Sequence, residues 1–325
     1  MDDSDILAAV RHAGGLPDAH PDYTDARIRL EVNDCLRTVF ARSVINSRGG
    51  YWLHSVTQDL TADTSYYQIP QRALVGGLQR IEIRGGSSED FYVLREVSPY
   101  EVAENDTSSA AEPFGYYLEA DHIRILPTPS SSNADVRFWF YVRPPRLMQE
   151  QITGAVYDGT ITSINTSTRV ALMAVTPVDR DTGSAITTST TVDVVSSTGG
   201  HDLHVIGATL TDVTTNTSVT FASGTDLSRV QVGDVVRAQD QSDWPMLPQE
   251  FHRTLADAVA AVILAGGIGA VEKAGGLTGK IGNDLERLED LLRPRVKDNV
   301  RKLRPRNGEL RRGSRRGRWR TAPSS

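Results

Sequence analysis

Residues 274–281 (Ala-Gly-Gly-Leu-Thr-Gly-Lys-Ile) have much of the pattern of a phosphate-binding loop. Such a loop binds phosphates through backbone N–H groups between two glycines and through a lysine, and the Ser or Thr that follows binds Mg²⁺. Here Ala274 stands at the first glycine position and Ile281 at the Ser/Thr position. The pattern therefore favours a glycine-rich joint between two helices over a nucleotide site.

Two further segments contain potential metal ligands. His201 and His204 are three residues apart, and on a strand they lie on opposite faces, so one metal ion could not bind both without distortion. We interpret this segment as a surface loop that enters a strand. Residues 179–183 resemble the start of a calcium-binding loop, but Thr190 occupies the position that requires Glu. We therefore expect an ordinary turn, and neither a metal ion nor another cofactor.

Catalytic motifs are missing from the chain. Cys35 is its only cysteine, and neither Gly-x-Ser-x-Gly nor His-Glu-x-x-His occurs. We expect a protein that is not an enzyme. One alternative stays open, a hydrolase within residues 151–242 that acts on a cell-surface polymer through Asp179, Asp181 and His204.

Aromatic residues such as Tyr66-Tyr67, Tyr116-Tyr117 and the run from Trp139 to Tyr141 could stack on nucleic-acid bases. No basic cluster flanks them in the sequence. Packing within a sheet explains them more simply.

Charge divides the chain into two very different parts. Residues 293–325 contain thirteen Arg or Lys against two acids, a net charge of +11, which leaves −17 on the first 292 residues. The acidic part should repel nucleic acid, whereas the basic end should bind an anionic surface. Guanidinium groups pair with carboxylates or phosphates through two hydrogen bonds, and a tryptophan can anchor in an apolar pocket. The candidate binding residues lie in residues 304–325, which we call the arm. They are Arg304, Arg306, Arg311, Arg312, Arg315, Arg316, Arg318, Trp319 and Arg320.

Helices at both ends of the chain are predicted from apolar residues spaced three and four apart. At the N-terminus they span residues 4–12, with Ser4 as the cap, and residues 22–45, with a stripe from Ile28 through Val39 to Phe40. At the C-terminus one helix follows Pro248 and another follows Asn283, which could cap it. Between Tyr51 and Arg146 the period changes to two, which indicates antiparallel strands, most clearly from Val136 to Val142.

Residues 151–242 differ from their surroundings, because nineteen of these ninety-two residues are Thr and none is Lys. Short β-branched runs separated by Gly, Asp and Asn predict a small all-β barrel or sandwich inserted into a host domain. The runs are residues 160–164, 169–174, 190–195, 203–210, 218–221 and 234–238.

The predicted fold is α+β, a helical bundle of N- and C-terminal helices with an antiparallel region between them and the inserted β module. We divide it into an N-terminal core of helices and sheet (1–150), the module (151–242), C-terminal helices that complete the bundle (243–303) and the Arg-rich arm (304–325). No run reaches the ~18 apolar residues of a membrane span, and the acidic N-terminus does not resemble a secretory signal. No membrane association is expected.

Several short segments resemble the head-to-tail adaptor (connector) proteins of tailed bacteriophages. These are residues 67–70 (Tyr-Gln-Ile-Pro), 114–129, 138–141, 144–147 and 247–252. The resemblance extends over most of residues 20–305, although the module matches no standard part of that family. It implies a structural virion protein without catalytic residues, assembled in the host cytoplasm as a dodecameric ring beneath the portal. It also implies that the arm docks on the portal protein, that the ring extends the DNA channel near duplex DNA, and that it carries the next tail or nozzle component.

A nucleic-acid-binding packaging or regulatory protein is the alternative function, with the same basic arm binding phosphates.

Overall fold

A computed structural model describes residues 1–47, 51–86, 89–98, 112–130, 134–149, 152–153, 156–214, 218–268 and 270–292. No helix in these ranges is long and apolar enough to cross a membrane.

The first helix, α1, spans Asp3–Gly14. The Asp2 carboxylate caps it by accepting a hydrogen bond of 3.0 Å from the N–H of Asp5. Gly15 ends it with φ of +69°, in the left-handed region that glycine adopts without strain. The predicted cap, Ser4, is wrong, because a carboxylate two residues earlier satisfies the free N–H group and also interacts favourably with the helix dipole.

The next helical segment contains an irregular turn. Helix α2 (Asp25–Cys35) continues through a π-helical turn (Leu36–Phe40) into α3 (Ala41–Ser47). Val39, which the periodicity placed on the buried stripe, is 40% exposed, while its neighbour Phe40 is buried. A π turn adds a residue to the helical repeat, so the apolar stripe after it shifts round the helix.

Two sheets follow in the first half of the chain. Their strands are β1 (Leu53–Asp59), β2 (Tyr66–Gln68), β3 (Ala73–Arg84), β4 (Tyr92–Val93), β5 (Arg95–Glu96), β6 (Gly115–Glu119), β7 (His122–Leu126) and β8 (Asp135–Val142), followed by β9 (Arg146–Leu147). Strands β1, β8, β3 and β4 lie side by side in that order, as do β2, β7, β6 and β5. The predicted alternation along β8 is confirmed, since Val136, Phe138, Phe140 and Val142 are all fully buried.

The threonine-rich part of the chain is a region of antiparallel strands. They are β10 (Ile152–Thr153), β11 (Val156–Tyr157), β12 (Ile161–Asn165), β13 (Val170–Met173), β14 (Val178–Asp179), β15 (Ser184–Ala185), β16 (Thr191–Val195), β17 (Leu203–Thr214), β18 (Ser218–Phe221) and β19 (Val235–Ala238), followed by β20 (Gln241–Ser242). The six β runs predicted here are confirmed as strands. The largest sheet has the order β12-β13-β18-β17-β16-β19. A bridge between Thr160 and Val235 links the two ends of this order.

The module has its own apolar cluster, which includes Ile161, Val192 and Phe221. Strand β9, just before the module, pairs in parallel with β20, just after it, with Arg146 opposite Gln241. The chain therefore enters and leaves the module at adjacent strands.

The C-terminal helices are α4 (His252–Ile263), which follows a 3-10 turn at Gln249–Phe251, and α5 (Val271–Leu292), which follows a π-helical turn at Leu264–Ile268. The predicted glycine-rich joint at 274–281 is wrong, as is the cap at Asn283, because α5 runs through both.

Burial explains why the helix continues through the glycines of α5. Ala274, Ile281 and Leu288 are buried at a seven-residue spacing, while a Cβ at Gly275, Gly276, Gly279 or Gly282 would have nothing within 4 Å. Packing of one apolar stripe outweighs the low helix propensity of the exposed glycines.

Helices from the two chain ends contact each other, since α1 and α2 pack on α4, and α3 and α4 pack on α5. Together with the buried face of β8 they form the main apolar core. This arrangement is compatible with the predicted α+β class.

Candidate functional site

The arm that the sequence singled out, Arg304 to Arg320 with Trp319, lies outside the residues that the structure describes. Helix α5 is the last described element and ends at Leu292. The candidate features that can be built from contacts lie instead at the junction between the core and the module, and on the outer face of the first sheet.

The first feature of the junction is a group of arginines around Asp240, in the turn between β19 and β20. Arg37 donates to both carboxylate oxygens of Asp240, at 3.1 and 3.2 Å, and also to the backbone oxygen of Pro144. Arg72 forms a very short ion pair with the same carboxylate, and Nε of Arg146 lies 3.3 Å from it. Three core arginines therefore converge on one carboxylate of the module end.

The second feature is a buried ion network of Asp158, Arg180, Arg237 and Asp243. Arg180 donates at 2.7 Å to Asp158 and at 2.7 Å to Asp243, and Arg237 pairs with Asp243 at very short range. All four side chains are at most 3% exposed. Burial lowers the pKa of Arg237, and the two neighbouring carboxylates oppose this effect. Such a network holds a fixed geometry, because removing one partner leaves an uncompensated buried charge.

A column of aromatic rings crosses the same junction. Trp244 contacts Tyr157 edge-on and stacks on His201 with centroids 5.1 Å apart, and His201 lies 5.6 Å from His252 of α4. His201 Nδ1 is bonded to the Ser196 oxygen, and His252 Nε2 to the Leu247 oxygen. These bonds fix both tautomers, since a carbonyl oxygen only accepts a hydrogen bond.

The two histidines are 2% and 0% exposed, so the predicted surface loop at His201 is wrong. Trp244 stacks on the His201 ring and His252 of α4 lies beside it, contacts that the local sequence pattern does not reveal. The pKa of both His201 and His252 is lowered from 6.5 to about 4, mainly by burial, and the positive charge of the N-terminal amino group contributes at both rings. Both rings are therefore neutral at pH 7.

The residues of the hydrolase alternative have separate structural partners. Asp179 accepts from Gln241 and from the N–H of Asp181 within the predicted turn, and Asp181 pairs with Arg146 at 2.5 Å. His204 contacts Asp234 at 2.7 Å. Among the described residues, no group of three His, Cys, Asp or Glu could hold a metal ion.

Cys35 is also unsuited to chemistry. It is buried in the apolar core, and burial raises the pKa of its thiol to about 12. The reactive thiolate is therefore scarce at neutral pH.

The outer face of the first sheet shows what the linear sequence missed about its aromatic residues. Arg137 lies 3.8 Å from the ring centroid of Phe91 and 5.6 Å from that of Trp139, and Arg80 lies 5.0 Å from the Trp139 ring centroid. Glu82 pairs with both arginines and accepts from the Trp139 indole. Arg80 comes from the neighbouring strand β3, whereas Arg137 precedes Trp139 by two residues on β8. Packing within the sheet, with these cation–π contacts, accounts for Phe91 and Trp139.

This face borders a cleft of about 710 Å³ between the edge strand β1 and the strand β17 of the module. Consecutive residues 53–57 and 204–209 line it, together with Arg137, Trp139 and Arg229.

The family model described as SU10 adaptor protein matches residues 1–164, just over half of the chain. The chain belongs to the SU10 adaptor protein family. This confirms the resemblance to phage head-to-tail adaptors. The adaptor family consists of structural phage proteins and not of enzymes, and a phage adaptor is a component of the virion.

The family match covers both core sheets, and of the resembling segments it includes all but residues 247–252. It ends within β12, near the start of the module. A search of curated proteins found no match.

Sequence reasoning missed both ion networks of the junction. Asp240 is 203 residues from Arg37 and 168 from Arg72 in the sequence. The one local signal is the charge pattern Arg237-Ala-Gln-Asp240-Gln-Ser-Asp243 at the module's end.

Proposed function

We propose that this chain is the subunit of a head-to-tail adaptor ring, a dodecamer that docks on the portal protein through residues 304–325. The ring extends the DNA channel and provides the platform for the next tail or nozzle component, and it assembles in the host cytoplasm. Membership of the adaptor family supports this proposal, together with the +11 charge that follows Leu292.

Electrostatics supports a division of labour between the arm and the rest of the chain. Each exposed arginine pair contributes only about 0.2–1 kcal/mol. Several pairs per arm, repeated round a closed ring, reach high overall affinity because the other arms hold each arm near its site. The eight arginines of the arm suit an acidic acceptor on the portal.

The acidic part of the chain has the complementary role in this proposal. DNA affinity depends on neutralising phosphates. Because residues 1–292 carry a net charge of −17, they would let duplex DNA pass through the channel without binding it.

We also propose the domain limits 1–150, 151–242, 243–303 and 304–325, with the N- and C-terminal helices as one bundle and the module as a small all-β barrel or sandwich. The parallel pairing of β9 with β20 supports insertion of the module. The bridge from Thr160 to Val235 supports closure of its sheet into a barrel.

The test is co-sedimentation of the full-length protein with portal rings. A chain lacking residues 304–325 should stay soluble and folded but no longer co-sediment. A matched variant in which the eight arm arginines become lysine keeps the charge and should bind more weakly than the natural chain, because lysine cannot form the bidentate pairs. Undiminished co-sedimentation after the deletion would refute the role of the arm.

A salt titration with duplex DNA separates this proposal from the nucleic-acid alternative. If six or more arginines bind DNA phosphates, the affinity for duplex DNA must fall with salt with a log-log slope steeper than about −5. Lack of duplex binding at low salt removes that alternative. Electron micrographs of portal mixtures should show rings with an open centre.

A further inference from the structure

The arginines around Asp240 are more numerous than their carboxylate partners require. We call Arg37, Arg72, Arg143 and Arg146 the arginine cluster. Arg143 lies close enough to Arg37 that its charge, with that of Arg72, adds to burial in lowering the pKa of Arg37. Arg37, Arg72 and Arg146 pair with three carboxylates, those of Asp240, Asp193 and Asp181. Arg143 donates instead to the backbone oxygen of Gln71.

The carboxylates neutralise the cluster incompletely. Asp193 is fully buried, and burial raises its pKa. Asp181 is half exposed and pairs only with the outermost arginine, Arg146. Asp240 is left to face Arg37, Arg72 and Arg146 together. An excess of positive charge therefore remains at one place in an otherwise acidic protein.

Spare hydrogen-bond donors occur at the same place. Among the described residues, Nε of Arg143 and both Nε and Nη2 of Arg72 are buried without a hydrogen-bond partner. Nη2 of Arg72 lies 3.4 Å from Asp193, but not in hydrogen-bonding geometry. The Arg72 side chain is only 4% exposed. Buried donors are almost always paired, so these three need an acceptor.

We propose that the arginine cluster is a binding site for a phosphate-type oxyanion. Such an ion supplies several acceptor oxygens and negative charge at once, which matches the spare N–H groups and the uncompensated guanidinium charge. Arg37, Arg143 and Arg146 are partly exposed, so the cluster borders solvent on this side. The ion would stabilise the position of the module, because the cluster comes from the core, whereas Asp193 lies in β16 of the module and Asp240 at its end.

Calorimetric titration of the full-length protein with inorganic phosphate, at constant ionic strength against sodium chloride, tests the site. Arg143→Gln should weaken phosphate binding at least tenfold, because it removes one spare donor and one charge. The matched control is Arg84→Gln, which removes an arginine paired with Asp135 on the first sheet and should leave the affinity unchanged. The arm is present in all these proteins, so its own phosphate binding cancels in the comparison.

Asp181→Asn provides a test in the opposite direction. It releases Arg146 from an exposed pair and should strengthen phosphate binding several-fold, and it keeps the proposal testable if Arg143→Gln does not fold.

A short duplex DNA as titrant identifies the source of the phosphate. If the protein binds the duplex and Arg143→Gln weakens this binding, the site binds the phosphates of a nucleic-acid backbone. If the protein binds inorganic phosphate but not the duplex, the site binds a free ion. Equal phosphate affinity in the natural chain, Arg143→Gln and Asp181→Asn would overturn the proposal.

Discussion

Acid should destabilise the junction through its two buried histidines. In the folded protein the pKa of His201 and His252 is about 4, against 6.5 for an ordinary histidine. Between these values the unfolded chain binds protons that the folded chain does not, so stability falls as the pH decreases from 6.5 towards 4. Above pH 6.5 both states are neutral at these rings and the effect vanishes.

The size of the effect follows from the pKa difference. One pKa unit corresponds to about 1.4 kcal/mol, so each ring should cost about 2 kcal/mol of unfolding free energy at pH 5 and about 3 kcal/mol below pH 4. At pH 5 the pair together should cost about 4 kcal/mol, a large part of the stability of an ordinary domain. Carboxylates with lowered pKa, such as those of Asp202 and Glu82, contribute mainly below about pH 5.

Urea unfolding at pH 7.5 and pH 5, followed by tryptophan fluorescence, measures this loss. The double variant His201→Asn with His252→Gln keeps an amide donor near each carbonyl that the natural rings contact, and it does not titrate. It should lose about 4 kcal/mol less between the two pH values than the natural chain. His122→Gln is the control, since that ring is exposed. An equal loss in the natural chain and the double variant would contradict the reasoning.

Two further predictions concern stability. Gly276→Ala and Gly279→Ala on the exposed side of α5 should each stabilise the protein by up to about 1 kcal/mol in thermal melts. Alanine favours the helix, and its Cβ would have no neighbouring atom within 4 Å. A lower melting temperature would contradict this, because it would show that the added methyl group meets other atoms. Asp243→Asn should cost about 3–5 kcal/mol in urea unfolding, because it leaves the two buried guanidinium groups of Arg237 and Arg180 with only one carboxylate, that of Asp158. Glu31→Gln in the surface pair with Arg27 should cost about 0.5 kcal/mol or less. Equal costs for these two changes would contradict the importance of the buried network.

Regular patterns in the sequence predicted regular structure well. The alternation of Val136, Phe138 and Phe140 identified the central strand β8, because one face of a strand is buried over its whole length. The β-branched runs of the module became strands for the same reason. Local composition was misleading in α5, where a row of glycines suggested a joint but the apolar spacing from Ala274 to Leu288 determined the helix.

The junction could not be predicted, because its partners are brought together only by the complete fold. Asp240 has no sequence signal that connects it to Arg37 or Arg72. The burial of His201 depends on Trp244 and on α4, which lie far along the chain. A resemblance in residues 67–70 and 114–147 pointed to the family, but it contains no information about a module that lies mostly beyond the family match.

The length of α5 fixes the point from which the basic segment departs. Twenty-two residues make this helix about 33 Å long. The thirty-three residues beyond Leu292 can span at most about 110 Å when fully extended. For the proposed docking, the acidic surface of the portal has to lie within this distance of the end of α5. Each residue removed from the segment would shorten its reach by about 3.3 Å.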